Sequence, residues 1–293
     1  MTRAHVRRRR APAAVAAAVA AGVAVAGWAS RSAVPAGAGR WDRTNHRGDL
    51  VSMLEGPAWS LGAAAGLALA PGMPARLRRG ALLAVTGAAV FGAVDDLTGR
   101  GAAKGLRGHL GALVHGELTT GGLKVFGIGA TGVLASALLL ERGDGTGAVA
   151  HLADVVVAGG VVAGSANLVN LLDLRPGRVL KVVLTHAPAV LAGGPAAALL
   201  AAGVGASAAL LRPDLEEQAM LGDCGANAAG AVLGASLVAA SPAGPTGRVV
   251  RALALAALVG ATLASERVSF TQVIERTPGL RELDALGRRP LLR

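Results

Sequence analysis

Apolar residues fall into nine blocks separated by short polar stretches: 12–34, 58–71, 78–94, 121–140, 151–170, 179–193, 195–211, 225–240 and 249–264. This pattern predicts an all-α, polytopic membrane helix bundle of about nine or ten transmembrane helices. Several blocks are shorter than a usual span of roughly 17–25 residues, so flanking polar residues must share those crossings. Gly193-Gly194-Pro195 and the stretch 241–245 mark tight reversals. Neither an internal repeat nor a separate soluble domain is visible, so residues 1–293 are expected to form one transmembrane domain. It closes with a tail, 265–293, that mixes apolar and charged residues at helical spacing and reads as an amphipathic cytoplasmic segment against the membrane surface.

Counting spans places the polar clusters. Asp95 and Asp96 end one block; two blocks later come Asn167, Asn170 and Asp173; two later again comes the loop 212–224 with Asp214, Glu216, Glu217 and Asp223; two more lead to the tail. All of these therefore belong to one membrane face, with Glu141 and Asp144 on the other. The six arginines of the tail favour the cytoplasm for that face, whereas the five arginines of residues 1–10 pull the opposite end the same way. The basic-then-apolar N-terminus has the form of a secretory signal, but the many spans downstream favour an uncleaved first helix.

Composition narrows the function classes. Of 293 residues, 53% are hydrophobic and only 16% charged, and the mean hydropathy is +0.52. The net charge of +11 sits in short clusters between apolar blocks, and aromatic residues make up 2% of the chain, so a nucleic-acid surface with stacking platforms is excluded. Loop charges that orient the chain and meet anionic membrane lipid account for the basicity. Cys224 is the one cysteine, which rules out a disulfide framework and a cysteine metal site.

Four clusters carry candidate chemistry, three of them rich in Asp and Asn and one of them basic. Adjacent carboxylates at Asp95-Asp96 favour a bound cation or a raised pKa suited to a general base; taken alone they also fit an ordinary helix end. Asn167, Asn170 and Asp173 recur every three residues and share one helical stripe, fit either to grip a nucleotide, a sugar or hydrated Mg²⁺, or to bond helix to helix. Asp223 stands among Gly222, Gly225 and Gly230 at the start of an apolar block, where backbone amides can approach a phosphate or where Asp223 simply caps the helix. Lys104, Arg107, His109, His115 and Lys124 follow the acid pair; the bases suit a lipid phosphate or diphosphate, and the histidines read as a solvated face. Acids for Mg²⁺ beside bases for phosphates form the equipment of phosphoryl transfer.

The order Asp95-Asp96, then Asn167-x-x-Asn170-x-x-Asp173, then Gly222-Asp223-x-Gly225-x-Asn227 resembles the polyprenyl-phosphate N-acetylhexosamine-1-phosphate transferases, glycosyltransferase family 4. That family includes the phospho-N-acetylmuramoyl-pentapeptide transferase of cell-wall synthesis and the GlcNAc-1-phosphate transferases, and the resemblance covers roughly residues 40–290. It implies a Mg²⁺-dependent enzyme of the plasma membrane, active at the cytoplasmic face, in which polyprenyl phosphate attacks a UDP-linked amino sugar and UMP leaves. By the same resemblance Asp95, Asp96 and Asp173 are the catalytic acids, and Asp223 with Asp96 holds the metal. Asn167 and Asn170 bind substrate, and Lys104, Arg107 and Lys124 bind the lipid phosphate by location. Self-association into a homodimer is compatible with this reading.

The chain also departs from the family. The second motif usually continues as D-G-x-D-G, but Asp173 is followed by Leu174, Arg175, Pro176 and Gly177, and no histidine occurs between 241 and 293, where the family carries a His-rich loop. A second reading is therefore a non-catalytic paralogue that binds a lipid-linked sugar or supports an envelope-assembly complex. A small-solute transporter is disfavoured, because its acids would lie near the bilayer midplane, on both halves of an inverted repeat.

Overall fold

The computed structural model describes residues 3–33, 38–45, 47–98, 120–143 and 145–290. The main helices are α1 (Arg3–Ala29), α2 (Glu55–Leu69), α3 (Ala75–Thr98), α4 (Thr120–Leu139) and α5 (Ala148–Leu172), then α6 (Arg178–Leu184) and α7 (Ala187–Ala192), followed by α8 (Ala197–Leu215), α9 (Gly222–Ala240) and α10 (Gly244–Ser265). Two short helices, α11 (Phe270–Arg276) and α12 (Leu280–Ala285), make up the tail. The strands are a two-stranded antiparallel hairpin, β1 (Asp42–Thr44) and β2 (Leu50–Ser52), between α1 and α2. The chain is an all-α, multi-pass membrane bundle.

Among the described residues, seven helices are long and apolar enough to cross a bilayer: 11–33 and α3, α4, α5, α8, α9 and α10. The other two expected spans exist in altered form. Helix α2 has 15 residues, about 22 Å of rise against a hydrocarbon core of about 30 Å. The block 179–193 is broken into α6 and α7, which meet at Thr185 and His186. Pro188 stands in the first turn of α7; it lacks the N–H that an unbroken helix would need there. The expected reversals are present, with Gly193, Gly194 and Gly244 all at positive φ.

Small side chains set the packing. Helix α9 is the central element, wedged between α3 and α5 and touching α2. A Cβ on Gly230 would stand 2.3 Å from the Ser165 carbonyl oxygen, and one on Gly92 would stand 2.3 Å from that of Asp223. Only glycine allows these backbones to approach so closely, which substitutes van der Waals contact for the hydrophobic drive that is missing between helices in lipid. Helix α1 packs on α2 and α8 through Ala16, Ala20 and Ala24. Helix α10 lies at the periphery on α5, fastened by a buried ion pair, Arg251 to Asp154 at 2.6 Å.

Candidate functional site

Alternate helix ends meet at one end of the bundle. The last turn of α3 brings Asp95 and Asp96, and the start of α4 brings Lys124. Asp173 closes α5, Asp214 ends α8, and Asp223 opens α9. At this end Asp95, Lys124 and Asp223 touch directly, and Asp96 and Asp173 meet the amides that open α9.

Lys124 is at the centre. Its Nζ lies 2.9 Å from Asp95 Oδ2 and 2.7 Å from Asp223 Oδ2, and the two carboxyl groups are themselves within hydrogen-bonding reach of each other. An arrangement of that kind needs a cation or a shared proton, and the ammonium is placed to serve. The Thr120 hydroxyl adds a hydrogen bond to Asp95.

Asp96 does something different from its neighbour. Its Oδ1 accepts the Asp223 amide at 3.0 Å and its Oδ2 the Cys224 amide at 2.8 Å. Asp173 accepts the amide of Gly222. Three successive N–H groups at the start of α9 are therefore satisfied by carboxylates from α3 and α5, on the positive end of the helix dipole. Asp223 has no freedom to cap its own helix, and it is aimed instead at Lys124. With both oxygens of Asp96 engaged in this way, its role in this structure is to position Asp223. Asn227 completes the turn, donating to the Asp223 carbonyl at 2.7 Å.

Burial raises the carboxyl of Asp173 well above the usual range, and the nearby charges of Asp214, Asp223 and Asp96 add to the effect. Behind it, Asp214 is buried and accepts the Gly177 amide at 3.1 Å. Glu55, the first residue of α2, is fully buried within electrostatic reach of Asp214 and Asp173, with neither carboxylate oxygen hydrogen-bonded among the described residues. Among the described residues, Lys124 is the ammonium that faces Asp95 and Asp223, and Lys181 and Arg288 act on Asp214 from the tail side. Around Asp95 and Asp223 the carboxyl groups still outnumber the ammonium, an imbalance that draws cations.

The remaining expected site residues divide. Asn167 donates to the Thr262 hydroxyl of α10 at 3.1 Å, the helix-to-helix alternative. Asn170, on the same stripe, makes no side-chain hydrogen bond among the described residues. Lys104, Arg107, His109 and His115 lie outside the described residues. Among the described residues, no three His, Cys, Asp or Glu side chains are drawn together tightly enough to enclose a metal ion. A Mg²⁺ ion still fits the donor chemistry: it usually takes one or two carboxylates, with waters and substrate phosphates completing its shell, and the Asp95–Asp223 pair already holds one cationic group.

Sequence reading passed over the hairpin and Glu55. Arg43 reaches from β1 to the Asp96 carbonyl, and Ser52 of β2 pairs with Gln218 and Met220 in the loop before α9. The dense polar run 40–49 is the signal that marks this segment. No protein-family model matches the chain, and no curated protein sequence matches it either.

Proposed function

We propose that the chain transfers a sugar-1-phosphate from a UDP-amino sugar to polyprenyl phosphate at the cytoplasmic face of the plasma membrane, in cell-envelope glycan synthesis. An oxygen of the lipid phosphate attacks the β-phosphorus of the nucleotide sugar, a new P–O–P bond forms, and the bond to the departing UMP breaks. The observation that carries this reading is the meeting of Asp95 and Asp223 around Lys124 at a helix-end face, in the motif order that resembles this transferase family. Asp95 and Asp223 are the residues that would hold Mg²⁺, which supplies neutralising charge on the diphosphate when bound. Lys124 is released from the carboxylates to an incoming phosphate. Asp96 and Asp173 keep Asp223 in place through the α9 amides.

A second reading, a non-catalytic relative that binds a lipid-linked sugar, is favoured by two observations. Asp95, Asp96 and Asp223 are already satisfied internally, by Lys124 and by backbone amides, and Pro176 stands where the family carries its second acid. The test is UMP release by purified protein in detergent with polyprenyl phosphate, Mg²⁺ and a panel of UDP-sugars. Release that disappears in Asp223→Asn supports the transferase. No release from any sugar by folded protein moves the assignment to the non-catalytic relative.

A further inference from the structure

The segment 173–178 begins with a site carboxylate and ends in a buried arginine. Arg178 is 4% exposed and forms a two-pronged pair with Asp284 of α12, Nε to Oδ1 at 2.8 Å and Nη2 to Oδ2 at 3.0 Å. Its third arm, Nη1, donates to the Thr271 hydroxyl of α11 at 3.0 Å. Arg288 bonds Asp284 at 2.5 Å and the Pro176 carbonyl at 2.8 Å. Lys181 donates to the carbonyls of Leu283 at 3.1 Å and Asp284 at 2.7 Å. The tail is thus fastened to both sides of the turn that follows Asp173.

A second fastening lies nearby. Arg47 of the hairpin donates to the carbonyls of Arg289 at 2.8 Å and Pro290 at 3.0 Å. Its Nε stands 2.8 Å from Glu217 Oε1, a charge contact in which the N–H does not point along the line of approach. Glu217 is buried and adopts a φ of 58°, a left-handed conformation that costs a non-glycine residue free energy and persists only where its surroundings hold it. Asn45 holds the other oxygen, Oε2, at 2.8 Å. Every loop that delivers an acid to the site from α5, α8 or the start of α9 is therefore tied, directly or through one residue, to residues 271–290.

A charged patch that merely met lipid headgroups would leave its arginines exposed. Here the guanidinium of Arg178 is withdrawn from water and fully matched, an arrangement that fixes orientation more than it adds net stability. We propose that the C-terminal tail is an internal clamp on the site, with Arg178 and Arg47 as positioning residues that hold the Asp173–Gly177 turn and the 214–221 loop so that Asp223 keeps its place. The proposal rests on the transferase reading only for its kinetic arm.

Cys224, the one cysteine in the chain, supplies an independent reporter. It is buried in the turn that Asp96 holds, beside Ser60, so a maleimide reaches it only when that turn opens. Labelling is followed in detergent on the full chain carrying Thr271→Val, Lys181→Met, Arg288→Met, Arg178→Met or Arg178→Lys, with Arg281→Ala as control. Arg281 is exposed, and among the described residues its side chain pairs with Glu282, its neighbour in the tail. Each clamp variant should label about tenfold faster than wild type, the factor expected for loss of a charged hydrogen bond. Arg178→Lys should label more slowly than Arg178→Met, and Arg281→Ala should match wild type. In the kinetic arm, the clamp variants lower kcat for UMP release and leave KM for the UDP-sugar unchanged. The clamp is overturned if folded Thr271→Val, Lys181→Met and Arg288→Met proteins label at the wild-type rate, or if Arg281→Ala labels as fast as they do. A wild-type protein that releases no UMP removes the proposed function and leaves the labelling result standing.

Discussion

Lys124→Met removes the ammonium that sits between the Asp95 and Asp223 carboxylates and leaves a side chain of similar length. Taking one partner from a buried ion pair costs about 3–5 kcal/mol, because the other charge stays behind without compensation. The Lys124, Asp95 and Asp223 side chains retain 16%, 17% and 25% of their exposure, so water relieves part of the penalty and the lower figure, about 3 kcal/mol, applies. At a few degrees per kcal/mol for a chain of this size, the melting temperature falls by on the order of 5–10 °C. A thiol-reactive dye that reports exposure of Cys224 on heating provides the assay. The same physics predicts a recovery: Lys124→Met/Asp95→Asn should regain most of the loss, and millimolar Mg²⁺ should stabilise Lys124→Met more than wild type. A Lys124→Met protein that melts with wild type in metal-free buffer would refute the reasoning.

Other predictions follow from single positions. Gly92→Ala drives a methyl group against the Asp223 carbonyl; it is expected to lower stability by about 1–3 kcal/mol and to abolish the proposed UMP release. Gly129→Ala faces open space in α4 and is expected to be neutral or slightly stabilising by helix propensity, so equal losses in the two variants would contradict the close approach of α3 and α9. Because the folded-state pKa of Asp173 is raised, its cost is absent below the ordinary carboxylate value of about 3.9 and grows as pH rises through the folded value. Asp173→Asn should therefore melt above wild type by a margin that widens with pH while losing the proposed UMP release; melting curves that coincide at pH 8 would count against the burial. The Asp284 carboxyl moves the other way: burial would raise it, but the hydrogen bond and charge of Arg178, joined by Arg288, hold it below its usual range. Its contribution is present above the unfolded value and is lost as pH falls through the folded one, so faster Cys224 labelling in acid, corrected for thiol reactivity on a free-cysteine peptide, is expected from wild type and not from Asp284→Asn.

Much of the architecture was legible in the sequence, because lipid leaves few alternatives to the helix. Hydropathy placed the seven long apolar helices and located the short α2 and the broken α6–α7 pair, and counting the blocks brought Asp95, Asp96, Asp173, Asp214 and Asp223 to one end of the bundle. The broken crossing was not foreseen, although Pro188 was there to be read as the interruption. The 58–71 block is α2, whose first residue, Glu55, is fully buried, which no hydropathy pattern announces. The roles within the acid cluster were beyond sequence reasoning altogether. Asp95 and Asp96 are neighbours in the chain, yet one meets Lys124 and the other the amides of α9. That division depends on how α3 lies against α9, where Gly92 lets the α3 backbone come up to the Asp223 carbonyl and the Cys224 amide. The clamp pairs residues more than a hundred positions apart, Arg178 with Asp284, and only the folded chain brings them together.

The most direct test of the proposed chemistry follows the phosphorus. A UDP-amino sugar labelled with ³²P in its β-phosphate is incubated with polyprenyl phosphate, Mg²⁺ and the purified protein, and label is counted in the organic and aqueous phases. The account predicts label and sugar together in the lipid phase, unlabelled UMP in water, and neither product from Asp223→Asn. Labelled inorganic phosphate or sugar phosphate in water with none in lipid, or no turnover by protein whose Cys224 is still protected, would contradict it.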